Sequence, residues 1–193
     1  MSDIDNLRAD IIFEDCLREQ SLTFHSTWGI FSPREIDQGT RLLLRYVDIA
    51  DNSDCLDLGC GYGPIGLTLA KLAPAGTTTM VDKDLMAVEY AQKNAKINNI
   101  ENCQIQLSNG LQHIRDKQFD CVASNMPAKV GKEMMTIMLT DIYNQLRPGG
   151  RFYVVTVTGL RQYMARNFKE IFGNYTKLKQ GKQYTVAMAE KTP

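Results

Sequence analysis

The chain has 193 residues, of which 44% are hydrophobic and 23% charged, and its formal net charge at neutral pH is zero. This balance is typical of one globular domain with a full hydrophobic core, and it excludes a chain that is disordered throughout. The sequence contains no apolar run near the length of about 20 residues that a membrane-spanning helix needs, and its acidic first residues are unlike a signal peptide.

Cysteine usage indicates a reducing compartment. The five cysteines are odd in number and widely scattered, and none forms a C-x-x-C pair. This pattern favours neither a disulfide framework nor a zinc site. We therefore expect reduced thiols, no metal and a cytoplasmic location.

An N-terminal extension is expected over residues 1–31. Within it, residues 3–20 carry apolar side chains at helical spacing, which predicts an amphipathic helix. Residues 21–31 are rich in aromatic and β-branched side chains, which predict one or two short strands.

The main domain is expected over residues 32–193, and it begins with a helix. Ser32 is suited to the N-cap and Pro33 to the first helical position. The helix is therefore expected to run from there to about Val47.

From Ser53 onward the sequence alternates between strand and helix patterns. Strands are predicted at 53–58, 77–81, 103–107, 119–124 and 151–157. Helices are predicted at 64–72, 84–98, 131–146 and 160–172. Two last strands, at 175–179 and 183–190, form a predicted hairpin. The expected fold class is α/β: a doubly wound, mostly parallel seven-stranded sheet with an antiparallel C-terminal strand.

The glycine-rich loop after the first of these strands fits two patterns. In such sheets ligands bind past the carboxyl ends of the strands, so this loop is expected to line a site. Read from Gly61, it fits the G-x-G-x-x-G of a dinucleotide-binding turn, with Asp82 at the spacing of a ribose-binding acid. Read from Asp57, it fits the D-x-G-x-G-x-G of an enzyme that uses S-adenosylmethionine. The loop alone leaves open a nicotinamide-dependent oxidoreductase and a methyltransferase.

The loop after the fourth strand favours the methyltransferase. Its residues, 125–128, read N-M-P-A and resemble the N-P-P loop of class I S-adenosylmethionine-dependent methyltransferases, which have a Rossmann-like fold. More narrowly, about residues 20–190 resemble the small methyltransferase family, which includes ribosomal RNA guanine-N2 methyltransferases and short archaeal homologues. The other motifs that carry the resemblance are G-I-F-S at 29–32, D-x-G-T-x-x-L-L at 37–44 and D-L-G-C-G-Y-G at 57–63.

The resemblance implies a site for S-adenosyl-L-methionine at the carboxyl edge of the sheet. Asp82 would bind the ribose hydroxyls, and Asn109, where the family usually has Asp, would meet the adenine amino group. The implied cofactor-binding residues are Asp57, Gly59, Cys60, Gly61, Gly63, Asp82, Lys83, Asn109, Gly110 and Asn125.

The resemblance also implies a catalytic loop made of Asn125, Met126 and Pro127. An exocyclic amino group is a poor nucleophile, because its lone pair is delocalised into the ring. The Asn125 side-chain oxygen and the Met126 carbonyl could each accept one N–H, which would orient the nitrogen and stabilise the positive charge that develops on it. Pro127 would stiffen the loop, and no strong base is required.

The implied acceptor is an exocyclic amino group in ribosomal or other RNA, with guanine N2 favoured. The predicted substrate-binding residues are Phe31, Lys129 and Lys132. Phe31 or Trp28 would supply a stacking surface, because Ala128 stands where the family has an aromatic or larger apolar side chain.

Other functions remain open from the sequence. Residues 147–182 carry eight Lys and Arg side chains against Glu170 alone, which fits either a nucleic-acid face or a solvated surface. A protein glutamine or a small molecule could be the acceptor instead of RNA, and a cofactor binder without catalysis is a further alternative. The sequence leaves the oligomeric state open.

Overall fold

The chain folds as a central sheet covered by helices, together with a separate hairpin. A computed structural model describes residue 4 and residues 9–127 and 131–192. In this part of the chain the strands are β1 (Ile11–Leu17), β2 (Gln20–Ser26), β3 (Cys55–Leu58), β4 (Thr78–Asp82), β5 (Cys103–Leu107), β6 (Phe119–Asn125), β7 (Leu146–Val157), β8 (Thr176–Gln180) and β9 (Tyr184–Glu190). The helices are α1 (Gln38–Leu44), α2 (Pro64–Leu72), α3 (Leu85–Ile97), α4 (Lys132–Gln145) and α5 (Arg161–Phe172), with a 3₁₀ turn at Thr158–Leu160.

The central sheet has the strand order β5-β4-β3-β6-β7-β9-β8. Strand β9 is antiparallel to both of its neighbours, and the other strands run in one direction. The predicted fold class is therefore confirmed. The order reverses between β3 and β6, so a ligand crevice is expected at the carboxyl ends of these two strands.

Alternate residues of the strands supply two hydrophobic cores, one on each face of the sheet. On one face Cys55 and Met80 pack with α1, α2, α3 and the β1–β2 hairpin. On the other face Leu56 and Val81 pack with α4 and α5. This period of two is the expected pattern for central strands that are buried on both sides. Across the described residues, every helix is too short or too polar to cross a membrane.

The predicted N-terminal helix at 3–20 is wrong over its described part from residue 11 onward. Strands β1 and β2 pair there as an antiparallel hairpin, and its two turn residues, Arg18 and Glu19, both have positive φ. Burial alternates along β1 with a period of two, so Phe13 faces the core and Glu14 faces solvent. The hydrophobic spacing that suggested a helix is thus overridden by a two-residue turn whose twist suits a hairpin.

Contacts with the main domain fix this hairpin in place. The backbone of β2 exchanges hydrogen bonds with the side-chain amides of Asn94 on α3 and of Asn98, the residue that caps the end of this helix. The rings of Phe13 and Phe24 pack edge-on against Tyr62, with centroids 6.0 and 5.7 Å away. Side-chain amides therefore replace a neighbouring strand along the edge of β2.

The first helix of the main domain starts later than predicted. Asp37, and not Ser32, caps α1, because its Oδ2 accepts hydrogen bonds from the N–H groups of Gly39 (2.8 Å) and Thr40 (3.2 Å). Ser32 itself has a positive φ of 50°. The hydroxyl of Tyr62 donates to the carbonyls of residues 32 and 35, which holds the preceding turn against the glycine loop.

Candidate active site

A cavity of about 580 Å³ lies at the carboxyl edge of the sheet. All four loops that follow the parallel strands β3, β4, β5 and β6 contribute to its wall, through Gly59, Asp82, Asn109 and Asn125 respectively. The site therefore lies at the point where the strand order reverses. Its size and concave shape suit a small-molecule cofactor together with part of an acceptor.

The glycine loop presents main chain to the cavity. Gly59 and Gly61 have φ of 79° and 55°, and a Cβ added to either would meet no protein atom within 4 Å. Side chains here would point into open space that a ligand can use. The N–H groups of Gly59 and Cys60 donate to the carbonyl of Val81 at 2.9 and 3.0 Å, which joins this loop to the end of β4.

Gly63 does not line this cavity, although it was predicted among the cofactor-binding residues. It is the N-cap of α2 with a φ of 105°, and a Cβ there would come within 3.0 Å of Leu67. Gly66 lies in the same helix, where a Cβ would come within 2.5 Å of Met80. Both glycines let α2 pack closely on the sheet.

Asp82 is held as a hydrogen-bond acceptor at the end of β4. Its Oδ2 accepts from the N–H of Gly61 (2.9 Å), and its Oδ1 accepts from that of Asp84 (3.0 Å). Each carboxylate oxygen can take a second hydrogen bond, so both remain able to accept from a vicinal diol. Lys83 lines the cavity beside Asp82, and Asn109 and Gly110 line it from the next loop.

Asp57 lies behind the glycine loop, outside the cavity wall, in contrast to its predicted contact with the cofactor. It is fully buried, and its Oδ2 accepts from the N–H of Gly66 at 2.7 Å. Its Oδ1 has no hydrogen-bond partner among the described residues. Burial, helped by the nearby charge of Asp82, raises the pKa of Asp57 to about 7. Asp57 thus braces the first turn of α2 against the loop.

The Cys60 thiol lies on the cavity wall but is 3% exposed. Burial raises its pKa well above the usual range, and the charges of Asp57 and Asp82 act in the same direction. The thiol therefore stays protonated at neutral pH. A thiolate nucleophile is not part of this site.

Asn125 stands on the opposite wall, and its amide is held in one orientation. Its Nδ2 donates to Asp37 Oδ2 (2.9 Å) and to Thr40 Oγ1 (3.0 Å), both on the N-terminal turn of α1. Tyr184, at the start of β9, donates to the other oxygen of Asp37 at 2.9 Å. A carboxylate can only accept, so the NH₂ of Asn125 must face Asp37. Its Oδ1 is then the group that the amide offers to a ligand in the cavity.

The other residues of the predicted catalytic loop differ in their surroundings. The N–H of Met126 donates to the carbonyl of Val155 (3.0 Å), and its side chain is buried in the core beneath α4. Pro127 lines the cavity. Ala128 and Lys129 lie outside the described residues.

Exposed aromatic side chains lie near the mouth. Phe31 lines the cavity and is 67% exposed. Trp28 is 45% exposed, with the guanidinium of Arg34 4.6 Å above its ring. Lys132 is exposed as the first residue of α4, directly after Gly131 on the cavity wall, but does not itself line it. Phe31 therefore presents an exposed aromatic ring to the cavity mouth.

Several lining residues escaped the sequence interpretation. Met134 and Met138 line the cavity, whereas Met135 on the same helix is buried in the core. Asp37 and Thr40 belong to a recognised motif, but nothing in the motif pointed to Asn125. Tyr184, which supports Asp37 without lining the cavity, carries no sequence signal, because its contact depends on the folded position of β9.

The strand order and the cavity are those of a methyltransferase. One similar solved structure is a T. thermophilus 16S rRNA guanine-N2 methyltransferase in complex with AdoMet and guanosine. Its sequence is 28% identical to this chain, and the two structures superpose with a TM-score of 0.85. The match covers 93% of this chain and 50% of the T. thermophilus chain. A more distant solved structure, M. jannaschii TYW2 in complex with AdoMet, has a TM-score of 0.67 at 15% identity over 94% of this chain and 86% of that one, and it supports the fold alone.

Residues 21–188 match the methyltransferase small domain family, and the chain belongs to it. The prediction of an S-adenosylmethionine-dependent methyltransferase is thereby confirmed. "Uncharacterized protein YbxB" of Bacillus subtilis is 32% identical over 91% of this chain and 89% of its own length. Ribosomal RNA large subunit methyltransferase G of Cronobacter sakazakii is 30% identical over 88% of this chain. The chain spans about half the length of such ribosomal RNA methyltransferases, 46% in that case.

Proposed function

We propose that this protein methylates an exocyclic amino group of RNA, guanine N2 in ribosomal RNA being favoured, with S-adenosyl-L-methionine as the methyl donor. The observation that carries the proposal is the fixed amide of Asn125 on the cavity wall: Asp37 and Thr40 hold its nitrogen, which leaves its oxygen to accept from a ligand. An amino group has N–H donors and needs acceptors, and this wall supplies one already oriented.

The residues on the opposite wall fit the cofactor. The main chain of Gly59 and Gly61 leaves room for close approach, and Asp82 offers two oxygens to the ribose diol. Asn109 and Gly110 would meet the adenine, with Cys60 and Lys83 completing the wall. When bound, S-adenosylmethionine supplies an electrophilic methyl group on a sulfonium. Calorimetric titration with S-adenosylhomocysteine should show binding, whereas NAD should not compete for the site.

The acceptor wall would work by positioning and electrostatics. The Oδ1 of Asn125 and the carbonyl of Met126 would each accept one N–H of the amino group, turning its nitrogen toward the cofactor. Both oxygens carry partial negative charge, so they stabilise the positive charge that develops on nitrogen during transfer. The carboxylate of Asp37, hydrogen-bonded to the amide nitrogen, polarises the amide and strengthens its oxygen as an acceptor.

Exposed aromatic side chains suit a nucleobase at the mouth. Phe31, on the cavity wall, and Trp28, paired with Arg34, offer ring faces on which a base can stack. RNA-modifying enzymes take the target base out of its stack, and such surfaces lower the cost of that step. Lys129 and Lys132 would contact neighbouring phosphates, as the sequence predicts. A cytoplasmic location belongs to the same proposal.

Transfer of a labelled methyl group tests the acceptor class. Total RNA and total protein from cells that lack this protein are each incubated with the purified chain and labelled S-adenosylmethionine. We expect label in RNA. Label in protein alone, or in small molecules alone, would overturn the RNA proposal while leaving the methyltransferase class intact.

A further inference from the structure

Five basic side chains lie along the carboxyl edge of the sheet, on the side of β7, β9 and β8, next to the cavity. We call this surface the basic rim; it consists of Lys132, Arg161, Arg166, Lys179 and Lys182. All five side chains are exposed. The residues between 147 and 182 contain one acid, Glu170, which lies near the far end of α5.

Hydrogen bonds join one half of the basic rim to the acceptor wall. Arg161 opens α5 and donates to the carbonyl of Thr158. Thr158 in turn bonds to Gly181 (3.1 Å) and Gln183 (2.8 Å), which flank Lys182 in the turn between β8 and β9. The next residue, Tyr184, donates to Asp37 in the site. Lys182 is therefore two residues from Tyr184, which hydrogen-bonds to the carboxylate that holds the proposed catalytic amide.

The other half meets the cavity at the start of α4. The hydroxyl of Tyr163 donates to the carbonyl of Lys132 at 2.8 Å. The guanidinium of Arg166 lies 5.7 Å from the centre of the Tyr163 ring. Lys132 follows Gly131, which is on the cavity wall. One end of the basic rim thus adjoins the cavity at Gly131, and the other is linked through Tyr184 to Asp37 on the cavity wall.

The charges of the basic rim are free for a ligand. Arg147 and Arg151, in the same basic stretch of sequence, are engaged by carboxylates at Asp54, Asp120 and Glu190. No carboxylate among the described residues lies within 4.0 Å of a charged nitrogen of the basic rim. A chain with zero net charge therefore concentrates unpaired positive charge at the edge where its active site opens.

We propose that the basic rim binds the phosphate backbone of the RNA strand that flanks the methylated base. This inference rests on the proposed function and adds how the acceptor strand is held. Phosphates need no base-specific contacts, so the basic rim would fix the position of the strand while the cavity selects the base. For a single strand, each phosphate contact adds about 0.7 to the slope of log affinity against log salt concentration.

A charge-matched pair of variants tests the basic rim. The first carries Arg161→Gln, Lys179→Gln and Lys182→Gln. The control carries Lys71→Gln, Lys96→Gln and Lys169→Gln, which remove the same charge from the last turns of α2, α3 and α5 at the opposite edge of the sheet. Binding of a labelled single-stranded RNA is measured by fluorescence anisotropy at several salt concentrations, together with methyl transfer to that RNA.

We expect the rim variant to bind RNA at least about 10-fold more weakly, with the salt slope reduced by about 2. Its KM for RNA should rise while its kcat and its affinity for S-adenosylhomocysteine match those of the unmodified protein and of the control. If the rim variant had the same RNA affinity and salt slope as the unmodified protein, the proposal that the basic rim binds RNA would be wrong. It would also be wrong if the control lost as much RNA affinity as the rim variant. A wild-type protein that transfers methyl to protein and not to RNA would instead overturn the proposed function.

Discussion

The two walls of the cavity are built from different parts of the polypeptide. The proposed cofactor wall comes from the loops that follow β3, β4 and β5, where Gly59 and Gly61 expose main chain, and its hydrogen bonds run between neighbouring loops, as from the N–H of Gly61 to Asp82. The proposed acceptor wall is made of side chains from segments far apart in sequence, Asp37 and Asn125, and Tyr184 supports it from behind through Asp37. The first wall depends on local backbone shape, whereas the second depends on the whole sheet being correctly assembled.

This difference separates two kinds of damage. A change in backbone conformation on the cofactor wall should weaken cofactor binding, whereas a side-chain change on the acceptor wall should slow methyl transfer and leave cofactor binding intact. A variant of one wall that impairs the function of the other would show that the two walls are coupled.

The largest effect is expected on the acceptor wall from Asn125→Ala. It removes the oriented amide oxygen, and loss of one such electrostatic group costs about 100- to 1,000-fold in rate. Affinity for S-adenosylhomocysteine, measured by calorimetry, should stay within about 2-fold of the original. A comparable loss of cofactor affinity would show that the two walls are not separate.

Behind the cofactor wall, Asp57 should make stability depend on pH. Its pKa rises from 3.8 to about 7 on folding, so the folded protein keeps a proton that the unfolded chain releases. The protonated Asp57 carboxyl therefore stabilises the folded state fully below about pH 4. This stabilisation is lost as pH rises toward 7, and the loss is roughly 4 kcal/mol at most. Asp10 and Asp54, whose pKa values are lowered by their basic partners, act in the opposite direction.

The variant Asp57→Asn isolates this effect. The free energy of unfolding of each protein is measured by urea denaturation. As pH rises from 4 to 7, the value for the variant minus the value for the unmodified protein should increase. A difference between the two proteins that stays constant over this range would mean that Asp57 is ionised in the folded state.

On the cofactor wall, Gly61→Ala should weaken S-adenosylhomocysteine binding by about 10-fold or more. Its positive φ disfavours a side chain by about 1–2 kcal/mol, and the new Cβ would enter the space of the ligand. Gly173→Ala is a matched control, since Gly173 also has positive φ and open surroundings but caps the far end of α5. Calorimetry should show unchanged cofactor affinity in the control.

The smallest effect, about 10-fold in kcat, is expected from Asp37→Ser. Serine can still cap α1 but is too short to reach Asn125, so the amide keeps only the hydrogen bond to Thr40 and is less firmly oriented, while the helix is kept. Asp37→Asn should restore most of the rate, because its amide oxygen can accept both from the first N–H groups of α1 and from the amide of Asn125. Thermal unfolding of the two variants should be similar. If asparagine rescued nothing, the role of Asp37 would be the charge itself and not the orientation of Asn125.

The proposed cofactor wall was largely predictable because most of its residues are adjacent in the sequence. A buried strand, a glycine turn and the N-terminal proline of α2 occur in one run, so Pro64–Leu72 was predicted with its observed bounds. Asp57 is the exception, since a carboxylate two residues before the first glycine gives no indication of which side of the loop it faces.

The acceptor wall was predictable only in part. Asn125 was predicted because residues 125–128 resemble the N-P-P loop of the methyltransferase family, but its hydrogen-bond partners lie 88 and 85 residues away. Their contact depends on how α1 meets β6. Strand β1 was missed for a related reason, although a strand was predicted within 21–31, where most of β2 lies. Over a short stretch the hydrophobic residues of β1 fit both the helical period of 3.6 and the strand period of two. Its partner strand β2 is stabilised by contacts with side-chain amides of Asn94 and Asn98, which are distant in sequence.

The most direct test of the central claim is the identity of the methylated nucleoside. RNA methylated by the unmodified protein and by Asn125→Ala would be digested to nucleosides and resolved by mass spectrometry against standards. We predict N2-methylguanosine with the unmodified protein and none above background with the variant. Methylation at a ring nitrogen or at carbon, or N2-methylguanosine formed equally by Asn125→Ala, would contradict the account.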